Sequence, residues 1–182
     1  MMPGNGAIFA SLEGAVDVTL LDRVSVNETY AAYVDSGCSH TDQWAASKRH
    51  EFSVDTNFSA TNWACLTYDL ATLGHDMTDF ANVEVRCYSN SVPNNAILDI
   101  AVGITNVAST GFNPRPGSSD TSVISFSAGS SISFIYRTLN IDGLANYGAS
   151  GYDYLWVGYR YRPSGGNPKS MNAWLYDVTL KV

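Results

Sequence analysis

The chain has 182 residues, a formal net charge of −7 and a pI near 4.7. Ten Lys and Arg against seventeen acids exclude a counterion-displacing nucleic-acid binder, and no run of 18 apolar residues marks a membrane helix. Hydrophobic residues make up 45% and charged residues 15%, low against the roughly 25% typical of soluble domains, so Ser, Thr, Asn and Gly must fill the polar surface.

Residues 1 to 14 carry Gly4, Gly6 and Gly14 around the apolar Ile8, Phe9 and Leu12. They read as an N-terminal arm that lies against a partner, followed by one domain over residues 15 to 182. The stretch lacks a basic region leading into a long apolar one, so no signal peptide is expected. Ala15 to Leu21 alternates as a strand, with Val16, Val18 and Leu20 on one side. Val24 to Val34 fits a strand, although Thr29 to Val34 also suits a short helix. Ser36 to His50 is polar and reads as a loop, with a helical turn around Trp44 to Lys48.

Glu51 to Val54 and Trp63 to Leu70 follow as strands, with Leu66, Tyr68 and Leu70 sharing a face. Ala71 to Phe80 reads as a loop. Val83, Val85 and Cys87 alternate with Glu84, Arg86 and Tyr88. Ile97 to Thr105 is the clearest alternation, placing Leu98, Ile100, Val102 and Ile104 together. Ser109 to Asp120 is a long loop stiffened by Pro114 and Pro116 around Arg115. Ser122 to Phe126 and Ile132 to Leu139 are further strands.

The chain closes on two aromatic, β-branched runs, Tyr152 to Arg162 and Ala173 to Val182. The turn-rich PSGGNPKS between them suggests a long-looped hairpin. In the last run Trp174, Tyr176, Val178, Leu180 and Val182 are assigned to the core. In the earlier run Leu155, Val157, Tyr159 and Tyr161 form one face. Tyr152, Tyr154, Trp156, Gly158, Arg160 and Arg162 form the other. With large groups on both faces, that strand is either central or offers aromatics to a partner. A second core face, a subunit interface and a sugar platform all fit the second row.

About eight to ten short strands with regular turns and no long helix indicate an all-β fold, a two-sheet antiparallel β-sandwich of jelly-roll type.

No chemistry-bearing motif appears. The G-x-S-x-G elbow, the phosphate loop, the dinucleotide fingerprint and the zinc spacings are all absent. Cys38, His40 and Asp42 alternate and can share a face, and Asp76 and Asp79 flank a turn, but polar loop residues explain both. Nothing pairs the four glutamates across a cleft. Three widely spaced cysteines do not make a disulfide framework. The sequence therefore points to no enzyme, no metal and no cofactor.

The Gly-rich apolar arm, the Ser/Thr/Asn/Gly-rich strands, the scarcity of lysine and the lack of a catalytic motif run the length of the chain. In these it resembles small jelly-roll proteins of phage particles, the head decoration (cement) proteins and tail adhesins. That resemblance implies a non-enzymatic virion protein, made in the host cytoplasm, that forms a homo-oligomer, with a trimer favoured. It would stabilise the shell by binding the major capsid protein only when assembled. Ile8, Phe9 and Leu12 in the arm, with Phe112 and Arg115 in the Pro-rich loop, are the expected contacts. The alternative is a carbohydrate-binding module or receptor-binding tail tip that takes glycans on Tyr152, Tyr154 and Trp156, with Arg160 and Arg162 extending the row.

Overall fold

A computed structural model describes residues 16–35, 37–54, 63–89, 96–106, 121–127, 132–163 and 171–182. The elements are β1 (Val18–Asp22), β2 (Val26–Asn27), β3 (Ala31–Val34), β4 (Cys38–Asp42), a helical turn α1 (Trp44–Ser47) and β5 (His50–Val54). Then come β6 (Ala64–Asp69), a 3-10 turn at Met77–Asp79, β7 (Asn82–Ser89), β8 (Ala96–Thr105), β9 (Thr121–Phe126), β10 (Ile132–Asn140), β11 (Tyr154–Pro163) and β12 (Met171–Lys181). Among the described residues, no helix is long and apolar enough to cross a membrane.

The strands form two antiparallel sheets. One has seven strands in the order β10-β7-β12-β1-β2, with β5 also pairing β12 and β4 lying beyond β5. The other has five, in the order β3-β6-β11-β8-β9. The core lies between them. Leu66 and Tyr68 of β6, Leu98, Ile100 and Val102 of β8, and Leu155, Val157 and Tyr159 of β11 meet Val83, Val85 and Cys87 of β7 and Leu175, Val178 and Leu180 of β12. The sandwich expected from the alternation is therefore the fold observed.

The closing runs are not a hairpin. β11 is central in the five-stranded sheet, and β12 is central in the seven-stranded one. Each is flanked on both sides, so the chain changes sheets between Pro163 and Met171. The expected core face of β12 is also corrected. Its register against β7 shifts between Leu175 and Asp177, a bulge that inserts one residue and reverses the phase of the alternation. Ala173 and Leu175 point into the core with Val178 and Leu180. Trp174 lies on the outer side against Tyr88, with ring centroids 5.1 Å apart, and Val182 is exposed.

Three local differences have simple causes. A register shift in β1 buries Leu20 and Leu21 side by side, while Val16 lies ahead of the strand and is exposed. The run Val24 to Val34 divides between sheets, β2 pairing β1 and β3 pairing β6. The polar stretch after Ser36 contains β4, an outlying strand with half-buried and exposed side chains and hence no apolar period. Asp76 and Asp79 cap the 3-10 turn reciprocally, Asp76 accepting from the Thr78 N–H, which accounts for that acidic pair.

Candidate functional site

Paired residues in neighbouring antiparallel strands share a face, so the register maps the outer side of the five-stranded sheet. Tyr154 lies level with Asp69 and Thr105. One step along, Ala31, Thr67, Trp156, Gly103 and Thr121 form a row across all five strands. Tyr33, Cys65, Gly158, Ala101 and Val123 form the next row. Arg160 then aligns with Asp99 and Ser125, and Arg162 with Ile97.

The middle of this face is closed. Trp63, Cys65, Ala101 and Trp156 form a second apolar cluster, with Tyr33 and Val123 packed at its edge. Trp156 is only 2% exposed and meets Trp63 edge to face, 5.7 Å between centroids. Gly158 leaves room for this cluster. A Cβ there would collide with the Cys65 sulfur and lie 3.0 Å from the Ala64 carbonyl oxygen. Burial pushes the Cys65 thiol well above its ordinary pKa, so it is an inert packing group. Among the described residues, two polar atoms on this face are buried with no hydrogen-bond partner, Trp63 Nε1 and Thr67 Oγ1. Each such atom costs free energy unless something supplies a partner.

At the Arg162 end, the fully buried Asp99 gathers donors from two strands. Ser125 Oγ donates to its Oδ1 at 2.6 Å. Arg160 donates Nε to Oδ2 at 2.9 Å, with a second bond from Nη2. Arg162 donates Nε to Oδ2 at 2.6 Å and Nη2 to Oδ1 at 3.0 Å. Burial pushes the Asp99 carboxyl up, but the bonds from Arg162, Ser125 and Arg160 outweigh it and the net shift is downward. The Arg160 guanidinium also stacks over Trp63, 4.8 Å from the ring centroid.

The other end opens into a pocket of about 210 Å³ lined by Thr29, Tyr30, Ala31, Thr67, Asp69 and Tyr154. Asp69 accepts from Thr72 N at 3.0 Å and Thr72 Oγ1 at 2.8 Å. Tyr30 is held on two sides. Its hydroxyl donates to Asp42 Oδ2 at 2.6 Å, and its ring meets His50 edge-on at 4.6 Å. Behind it, His40 Nε2 and His50 Nδ1 lie 2.9 Å apart, and His50 Nε2 is 3.3 Å from Asn27 Oδ1. His50 Nε2–H donates to Asn27, so its Nδ1 accepts from His40 Nε2–H. Both rings are neutral in this arrangement. Burial, with His40 adding to it, depresses the His50 pKa to about 4. Burial also lowers that of His40.

Of the residues singled out in the sequence, Tyr154, Trp156, Arg160 and Arg162 lie in order along this face, with half-buried Tyr152 just before β11. Trp156 is packed against Trp63. Ile8, Phe9, Leu12, Phe112 and Arg115 lie outside the described residues. The structure adds Trp63, Thr67, Asp69, Asp99 and Tyr30. Asp99 carried a signal, being the lone acid in the apolar run of β8. The others reach the face through strand register, which one sequence does not display.

No protein-family model matches the sequence, and no curated protein matches it. Solved structures match the fold. The chain is similar to the K1 cleaved adhesin domain of Lys-gingipain from Porphyromonas gingivalis W83, with 10% identity over 92% of this chain and 98% of that one and a TM-score of 0.51. It is also similar to a family 11 carbohydrate-binding module from Clostridium thermocellum, with 15% identity over 91% and 95% and a TM-score of 0.46. A third match is the enzymatically active domain of tailspike protein 4 from bacteriophage CBA120, with 11% identity over 85% and 19% and a TM-score of 0.40. At these identities the likeness establishes a β-sandwich fold and nothing finer.

Proposed function

We propose that the protein is a non-catalytic binding domain that takes a carbohydrate in the pocket at the Tyr154 end of the five-stranded sheet. The observation that carries this reading is the pocket itself. Two tyrosine rings, a carboxylate and Thr67 line one small concavity. Sugar rings present apolar C–H faces and a rim of hydroxyls. Aromatic walls suit the first, and Asp69 suits the second, with the Thr67 hydroxyl just beneath the surface. That several solved structures of similar fold are named as carbohydrate-binding modules agrees with the reading without carrying it. A receptor-binding tail tip would use the same pocket. The shell-decoration role expected from the sequence style has its proposed contacts outside the described residues, and no described feature favours it over sugar binding.

A glycan array probed with the intact chain, followed by titration calorimetry on the best hit, tests this. The expected result is a saturable hit whose affinity falls at least tenfold in Tyr154→Ala while the melting temperature stays close to wild type. No hit across neutral and acidic glycans, or equal affinity in a folded Tyr154→Ala, overturns the reading.

A further inference from the structure

The Arg162 end of the same face gathers two cations on one acid among the described ion pairs. Among the described ion pairs, Arg49 meets Glu51, Arg86 meets Asp177, and Lys181 meets both Asp17 and Glu84. At Asp99 the balance reverses, because Arg160 and Arg162 converge on one carboxylate. The cluster keeps one positive charge in excess inside a chain of net charge −7.

The two arginines divide the work. Arg160 is buried, stacked on Trp63 and committed to Asp99. The Arg162 side chain is 34% exposed. A guanidinium is planar and carries five N–H donors. Arg162 spends the edge formed by Nε and Nη2 on Asp99, with Nη2 also 3.4 Å from Ser125 Oγ. Among the described residues its Nη1 has no partner. The group is thus fixed on one edge and open on the other. An oxyanion arriving at the open edge meets an arginine whose side-chain freedom was already lost on folding, which removes a main cost of binding. The N–H groups of Nη1 remain to donate to an oxygen of a carboxylate or sulfate ester.

We propose that the Arg162 end of the sheet is a second binding point that takes the carboxylate or sulfate oxyanion of an acidic sugar on the outward edge of Arg162. The inference rests on the glycan reading of this face and narrows its ligand class to acidic glycans. Tyr154 and Arg162 are eight residues apart on one strand, roughly 26 Å at about 3.3 Å per residue. The two points are therefore separate, and Arg162 can be tested without disturbing the pocket.

The test is an NMR titration of the intact chain with four tetrasaccharides: galacturonic acid, its fully methyl-esterified form, sulfated galactose and neutral galactose. The methyl ester keeps every ring and removes only the charge. The expected result is that galacturonate, sulfated galactose or both move the Arg162 side-chain Nε resonance. The active probe should bind at least tenfold more tightly than its uncharged counterpart and weaken as salt is raised. Arg162→Gln should abolish that preference. The wild-type Arg162 resonance decides the matter even if the variant folds poorly. An Arg162 resonance that stays still during binding, or a preference for charge that survives in folded Arg162→Gln, overturns the inference. Equal binding of charged and uncharged probes, lost in Tyr154→Ala, leaves the glycan reading standing and removes only this one. Failure of all four probes and of the array removes both.

Discussion

Replacing Thr67 with valine asks whether this face carries a defect for the sake of a ligand. Among the described residues, the Thr67 hydroxyl is buried without a hydrogen-bond partner. An unpaired buried hydroxyl costs about 1–3 kcal/mol, and the methyl group that replaces it adds about 0.8 kcal/mol of apolar burial. Valine has nearly the same shape and is favoured in strands, so the backbone of β6 has no reason to move. The expected change is a stabilisation of about 2 kcal/mol. For a chain of this size that raises the melting temperature by about 4–8 °C. Sugar affinity should move the other way, falling about tenfold, or about 1.4 kcal/mol, because the hydroxyl that turns outward into the pocket to meet the ligand is gone. Calorimetric melting and titration calorimetry on one preparation read both numbers. A drop in stability would mean that Thr67 is satisfied within the fold. Unchanged affinity in a stabilised variant would mean that the sugar does not touch this hydroxyl.

Gly158→Ala should destabilise by about 2–3 kcal/mol in urea denaturation, the range of an overpacked core, since the added Cβ meets the Cys65 sulfur and the Ala64 carbonyl. Combining it with Cys65→Ala should recover part of that loss; strictly additive single effects would refute the clash. The histidine pair predicts acid sensitivity. His50 has a folded pKa of about 4, below its ordinary 6.5, so below pH 6.5 the unfolded chain takes up the proton first. The His50 contribution to stability should then fall by about 3 kcal/mol between pH 6.5 and 4 and level off below, where the lowered Asp99 carboxyl begins to lose its own. Urea midpoints across that window should show a shallower slope for His50→Gln than for wild type, and parallel slopes would refute the assignment.

Legibility in the sequence followed the simplicity of each strand's surroundings. In β7 and β8 every second side chain meets the one core, so Val83, Val85 and Cys87, and Leu98, Ile100 and Val102, announce their face by period alone. β12 breaks that period at Tyr176, and a bulge leaves no mark in composition, so Trp174 and Leu175 exchange sides. β4 was hidden because an outlying strand of Cys, Ser, His, Thr and Asp needs little apolar surface. The row Tyr154, Trp156, Arg160, Arg162 was legible because it lies on one strand. Its partners were not, since Trp63, Thr67 and Asp99 reach the row through the pairing of β6 and β8 with β11.

The two outer faces of the sandwich argue for where function resides. A sandwich buries its core between the sheets, and its outer faces are free to be wet. Among the described residues, the outer side of the seven-stranded sheet carries the Arg86–Asp177 and Lys181–Glu84 pairs, aromatic rings at Trp174, Tyr88 and Tyr136 and a buried Trp174 Nε1 without a partner. The five-stranded sheet goes further. Its outer side holds two buried tryptophans, a glycine that permits their cluster, two polar atoms without partners and two arginines on one acid. None of these is required to close the core, and the unpaired Trp63 Nε1 and Thr67 Oγ1 work against stability. A face assembled at such a cost, open at a pocket on one end and at a fixed arginine on the other, has the composition of a recognition surface.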